Sequence, residues 1–334
     1  MHAADIITED STMPLRCALL IICLCLGGLL TAGESTGYTI AVIPKGTTHD
    51  YWKSVLAGVR QAEAELNASG IRVKTIWKGP LKEDDRTAQI DVVQNFVTKG
   101  VSGIVISPLD ASALVAPVEG AIAAGIPVVV IDSALKSDRI ASYVATDNHA
   151  GGVIAAKQLA AMAGGSGKAV MLRYLTGSAS SEDRETGFLA EMANHPGIQL
   201  LSTDQHAGAT RESALNTSQN LIGRWRGGMT AVFSSNEPST AGMALALQEA
   251  GLAGKVIHVG FDASAPLIKA LREGRISALV VQDPCRMGYL GVKQCVAALR
   301  GEPVEKRIDT PVVLITRADL DRPEVQALIK PQGE

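Results

Sequence analysis

Aromatic side chains make up only 4% of the 334 residues, and cysteine is scarcer still. Beyond Cys25 the only thiols are Cys285 and Cys295. Ten residues apart on one expected helix, Pro284–Leu299, they are separated by about 15 Å along its axis and cannot bridge within it. Disulfide staples are therefore excluded, and the chain needs a hydrophobic core of its own. Nor is there an excess of positive charge, since 31 basic against 34 acidic residues give a net charge of -3. That balance offers nothing to a nucleic acid. No G-x-G-x-x-G follows a strand, so the close backbone approach required by a dinucleotide is missing. His195, His206 and His258 are scattered without metal-ligand spacing, and no G-x-S-x-G elbow occurs. Neither a metal nor a cofactor is expected, and no enzymatic turnover. Gly164–Lys168 has the look of a phosphate loop, but Ala169 replaces the required Ser or Thr and the run precedes a strand.

The longest apolar run is Cys17–Ala32, and it is short for a membrane span, which takes about 20 apolar residues. With Arg16 ahead of it and small residues behind, it has the pattern of a secretory signal, and 1–36 is expected to be a leader. Cleavage is expected after Ala32 or Gly33. Asp5, Glu9 and Asp10 do not suit a signal, so Met13 is an alternative start.

After the leader, short apolar runs alternate with helical patterns. Strands are expected at Thr39–Ile43, Val73–Trp77, Gly103–Ser107, Pro127–Asp132, Ser142–Thr146, Ala169–Tyr174, Gln199–Asp204, Ala231–Ser235, Val256–Gly260, Ser277–Gln282 and Val312–Ile315. Helices between them include Trp52–Asn67, Arg184–Ala193, Pro238–Ala250 and Pro284–Leu299. The pattern predicts parallel α/β sheets covered on both faces. About 300 mature residues suffice for two domains. A boundary is expected at Thr146–Asn148, which makes the cleft between two lobes the default ligand site.

In open parallel sheets ligands bind beyond the carboxyl ends of the strands. The first such exit carries Lys45, His49, Tyr51 and Trp52, an amine, an imidazole and two adjacent aromatics suited to the face and hydroxyls of a sugar. Asp132 and Ser133 leave the fourth strand, Asn236 and Glu237 follow Ala231–Ser235, and Asp262 and Gln282 end two further strands. Each could cap a helix or bind a hydroxyl. Arg184 is read at a helix opening, where the helix end gives a cation no favourable interaction. A ligand oxygen, Asp183 or Glu182 is its expected partner.

Five segments, Val101–Pro108, Gly125–Asp132, Arg184–Phe188, Ala231–Glu237 and Val259–Asp262, resemble the periplasmic sugar-binding proteins of ABC transporters. That is the family of the ribose-binding protein, whose ligand domain is shared with lac-type repressors. The resemblance runs from about Tyr38 to Thr316. It implies a periplasmic binding protein of type I, with two Rossmann-like lobes joined by a three-strand hinge near Ala145–Asn148, Gln282–Pro284 and Ile308–Pro311. The lobes are expected at 37–146 plus 283–308 and at 147–282 plus 309–334. Its ligand positions fall on Lys45, His49, Tyr51, Trp52, Asp132, Ser133, Arg184, Ala209, Asn236, Asp262 and Gln282. The implied function is binding of a small sugar or sugar derivative without turnover, followed by delivery, as a periplasmic monomer, to a membrane permease. The ribose pattern would have a hydroxyl or amide at Lys45 and His49, an arginine at Ser133 and an aromatic at Ala209. Ribose itself is therefore not implied. A bulkier or anionic ligand such as a sugar acid fits, unless Lys45 simply pairs with Asp132 or Asp262. A receptor feeding a sensor kinase would share this pocket. A repressor would need a DNA-reading domain where the leader stands.

Overall fold

The computed structural model describes residues 37–329, so the expected leader lies outside the described residues. Two six-stranded sheets organise the chain. The first holds β1 (Tyr38–Ile43), β2 (Val73–Trp77), β3 (Gly103–Ile106), β4 (Val128–Ile131), β5 (Ser142–Thr146) and β11 (Arg307–Thr310), in the order β2-β1-β3-β4-β5-β11. The second holds β6 (Gly167–Arg173), β7 (Ile198–His206), β8 (Ala231–Ser234), β9 (Ile257–Phe261), β10 (Ala278–Gln282) and β12 (Val312–Thr316), in the order β7-β6-β8-β9-β10-β12. The two orders are equivalent position by position. All pairs are parallel except β10–β12, which is antiparallel. That edge corrects the expectation of wholly parallel sheets. A short link after β11 returns the chain directly to the second sheet, with no helix to reverse its direction.

The helices are α1 (Asp50–Ala68), α2 (Arg86–Thr98), α3 (Val115–Ala123), α4 (Asn148–Met162), α5 (Ala179–Met192), α6 (Arg211–Trp225), α7 (Glu237–Glu249), α8 (Ala265–Arg272), α9 (Pro284–Leu299) and α10 (Pro323–Ile329). They cover both faces of each sheet. In β1, Ile40 and Val42 enter the core under α1 and α9, while Ala41 and Ile43 enter the core under α2 and α3. Such strands read as continuous apolar runs because neither face meets water.

One helix pair in each lobe crosses backbone against backbone. A Cβ at Gly58 of α1 would stand 1.8 Å from the Cys285 carbonyl oxygen, and one at Gly288 of α9 would stand 2.1 Å from that of Val55. The second lobe repeats the device, with Gly152 of α4 against the Arg184 carbonyl at 1.9 Å and Gly187 of α5 against that of His149 at 2.1 Å. Any larger side chain at these four glycines would push the helices apart.

The chain passes between the sheets three times, through Asp147, Asp283 and Pro311. Asp147 caps α4 through the Ala150 N–H, and Asp283 caps α9 through the Arg286 N–H, each at 2.9 Å. The third passage lies beyond the boundary expected at 308, because β11 stays paired with β5 as far as Thr310. Cys295 is buried and Cys285 half-buried, and both thiols are free.

Candidate functional site

A narrow cavity lies where the strand exits of the two lobes face each other. Of the residues expected to bind ligand, Lys45, His49, Tyr51, Trp52, Asp132, Arg184, Asn236, Asp262 and Gln282 line it. Ser133 is not part of the lining. It is fully buried, and its hydroxyl accepts the Ser180 N–H from the other lobe at 3.2 Å.

Two aspartates anchor opposite walls. Asp132 follows β4 and Asp262 follows β9, the same place in each sheet, and they are the only non-glycine residues with positive φ among the described residues, at 63° and 71°. Aspartate is one of the few side chains that tolerates this region, and such outliers persist where the surroundings enforce them. Asp132 accepts hydrogen bonds from the Tyr51 hydroxyl and the Ser107 hydroxyl, both at 2.8 Å, and pairs with Lys45 Nζ at 3.2 Å. Asp262 accepts from the Glu237 N–H at 3.0 Å and from Gln282 Nε2 at 2.7 Å. Burial pushes the Asp262 pKa up to about 6 against the pull of Arg184.

Arg184 is 2% exposed. It lies inside α5, not at its opening, because α5 begins at Ala179, ahead of the start expected at Arg184. Its Nε donates to Asn148 Oδ1 at 2.8 Å and its Nη1 to the Ser235 carbonyl at 3.1 Å, so neither Asp183 nor Glu182 is its partner. Its guanidinium lies 4.2 Å from the Phe261 ring centroid. Nη2 has no protein acceptor among the described residues.

Asn236 serves as both cap and lining. Its Oδ1 accepts the Ser239 N–H at 3.2 Å in a capping box that starts α7, and its Nδ2 has no protein partner among the described residues. Gln282 Oε1 is buried without any partner. Buried polar atoms are normally hydrogen-bonded, so an orphan acceptor on a cavity wall marks the place of a missing donor.

Sequence reasoning missed Glu83, Tyr174, Ser180 and Ser181 in this lining. Glu83 accepts from His49 Nδ1 and Trp52 Nε1 at 2.7 Å each, and from the Tyr174 hydroxyl of the other lobe at 2.6 Å. Burial opposes its charge, but the His49 bond and charge, with help from Lys45 and Tyr174, outweigh it and lower the Glu83 pKa to about 2. Burial likewise presses the His49 pKa down, and Glu83 overcomes it, so the net shift is upward. Burial and neighbouring carboxylates push the Tyr51 and Tyr174 phenols well above their ordinary range, which keeps both as donors. The rule that located the other residues, polar side chains at strand exits, applies to Tyr174 directly after β6, whereas Glu83 lies well past the end of β2 at Trp77.

Tyr51 and Trp52 meet edge to face, with centroids 5.1 Å apart and planes at 90°. Perpendicular rings cannot both lie flat on one sugar ring. Ala209, where the resemblance would put an aromatic, is buried and is not part of the lining.

The lobes close over the cavity through direct contacts. Besides the Tyr174–Glu83 bond, the Ala111 N–H donates to the Gly177 carbonyl at 3.0 Å and Arg86 Nη2 to the Thr176 carbonyl at 2.9 Å. On the far rim Arg211 holds Glu237 and reaches Asp50 at 3.2 Å. Among the described residues no cluster of His, Cys, Asp and Glu could hold a metal ion.

This architecture recurs in known proteins. A carbohydrate transporter solute-binding protein from Agrobacterium radiobacter, solved with D-arabinose, superposes with a TM-score of 0.83 at 37% identity, over 88% of this chain and 99% of that one. A solute-binding protein from Agrobacterium vitis, solved with alpha-D-tagatopyranose, gives 0.82 at 30% identity, over 87% and 99%. The ribose import binding protein of Salmonella typhimurium (strain LT2) is 30% identical over 90% of this chain and 98% of its own length. The family model for a periplasmic binding protein domain matches residues 40–303. With matching lobes, strand exits and family model, the chain belongs to the periplasmic binding protein family.

Proposed function

We propose that this protein captures a small sugar or sugar derivative between its lobes and presents the closed form to the permease of an ABC transporter. The reading rests above all on the orphan Gln282 Oε1 beside unpartnered donors on Arg184 and Asn236. A polyol supplies what each lacks, because one hydroxyl donates to an oxygen and accepts from an N–H at once. Asp132, Asp262 and Gln282 accept hydrogen bonds from hydroxyls, Arg184 and Asn236 donate to hydroxyl oxygens, and one ring of the Tyr51–Trp52 pair covers the C–H face. Relatives solved with D-arabinose and D-tagatose support the class of ligand.

Binding ends in closure about the three passages at Asp147, Asp283 and Pro311, with 37–146 plus 283–310 as one lobe and the remainder as the other. Export to the periplasm as a monomer fits the family and the apolar run Cys17–Ala32. Among the described residues no helix is long and apolar enough to cross a membrane. Calorimetry against pentoses, hexoses, ketoses, polyols and sugar acids tests the proposal. Micromolar or tighter binding of at least one is expected, and folded protein giving no heat with any of them would overturn it.

A further inference from the structure

Lys45 is a charged residue of the cavity wall, yet its charge is already matched within the protein. Three oxygens surround Nζ, namely Asp132 Oδ2 at 3.2 Å, Ser178 Oγ at 3.2 Å and Ser180 Oγ at 3.0 Å. An ammonium has three N–H groups and no acceptor; two of them go to the serine hydroxyls, and its charge is matched by Asp132. The lysine and Asp132 belong to the first lobe, and both serines belong to the second.

The serines bear the mark of this arrangement. Ser178 is the N-cap of α5, the position where a serine hydroxyl ordinarily accepts a backbone N–H of the first turn. Here it makes no capping bond and accepts from Lys45 instead. A cation at the positive end of a helix is unfavourable by itself. Asp132, brought to the same point by its positive-φ backbone, offsets that repulsion.

We propose that Lys45 is an interlobe strut and a positioning residue, not a reader of ligand charge. When the lobes part, Lys45 stays with Asp132 and Ser178 recovers its place as a helix cap. When they close, the cap is given up for the lysine. The exchange trades one hydrogen bond for another, so closure without ligand stays close to balance and ligand contacts decide it. The proposal rests on the sugar-binding reading of the cavity and sharpens it. With the Lys45 charge matched by Asp132, and Asp262 on the opposite wall, the cavity takes a neutral polyol and rejects the corresponding sugar acid.

The test uses Lys45→Gln, Ser180→Ala and the double variant, with circular dichroism confirming the fold. Ser180→Ala removes an acceptor of the strut without touching a cap, so it carries the test if Lys45→Gln does not fold. Stopped-flow dissociation of the tightest neutral sugar from the calorimetric panel should accelerate about tenfold in Lys45→Gln and less in Ser180→Ala, since interface changes act mainly on the off-rate. Ser180→Ala should add nothing in the Lys45→Gln background. Additive effects, or unchanged dissociation in both single variants, would overturn the strut. So would wild-type protein binding D-arabinonate more tightly than D-arabinose and losing that preference in Lys45→Gln. If no sugar binds, the reading of the cavity fails alone. Small-angle scattering of the ligand-free proteins then tests the strut, with a larger radius of gyration expected in Lys45→Gln and an unchanged one overturning it.

Discussion

The two lobes have the same strand order and the same aspartate at the same strand exit, but they treat its charge oppositely. In the first lobe Asp132 is matched by Lys45 and two hydroxyl donors. In the second, Asp262 has a backbone N–H and an amide, and burial pushes its pKa up to about 6. One wall of the cavity is electrically complete before any ligand arrives, and the other is held in tension. Repeated architecture thus fixes where a polar group stands, while its neighbours decide whether it waits for a ligand.

The comparison is broken most severely on the first side. Asp132→Asn leaves a buried ammonium without its counter-charge, a change that typically costs about 3–5 kcal/mol. Urea denaturation should show a loss of that order. The matching change on the second side should behave in the reverse sense. A carboxylate whose folded pKa exceeds its unfolded value stabilises the fold only while protonated, and stability is lost as pH rises through about 6. Asp262→Asn should therefore gain roughly 2 kcal/mol at pH 8 and little at pH 4, while ligand affinity falls about 100-fold. A loss of stability at pH 8 would show that the carboxylate is better solvated than its burial indicates.

A third expectation concerns Arg184, the cation that pulls against the rise of the Asp262 pKa. Arg184→Ala should lower affinity at least about 100-fold by calorimetry, because it removes charge-assisted donors from a dry site. Wild-type affinity should also weaken as pH falls through about 6, where Asp262 takes up a proton, and Asp262→Asn should flatten that profile. A further effect distinguishes the sheets themselves. β9 contains a fully buried His258 whose pKa burial lowers to about 3, whereas β4 is wholly aliphatic. A depressed histidine contributes stability above its unfolded pKa, near 6.5, and loses it as pH falls, by up to about 1.4 kcal/mol per pH unit. In urea denaturation His258→Leu should lose less stability than the wild type between pH 7 and pH 4, and an identical pH dependence would remove the idea.

Much of this was legible in the sequence for simple reasons. Doubly buried strands such as Val128–Ile131 are unbroken apolar runs, and the polar residue that ends each one is held at the cavity by the strand behind it. The start of α5 was not legible. Ser178–Asp183 has no apolar period because its residues serve the cavity and the opposite lobe, so a helical turn has the composition of a loop. Glu83 was hidden in the charged run Lys82–Arg86, and only the fold shows that it alone among those carboxylates turns inward. The strut at Lys45 depends on residues some 130 positions away, a separation that no local pattern encodes.

Gln282 is the last residue of β10, and Asp283 carries the chain into the other lobe. The side chain with the orphan oxygen is thus mounted on the pivot itself, so an occupant would pin the axle as well as clamp the jaws. Just past that pivot is Cys285, half-buried, while the other thiol among the described residues, Cys295, is enclosed. Among the described residues, Cys285 is thus the one half-buried thiol at the joint from which a dye could signal whether the cavity is filled.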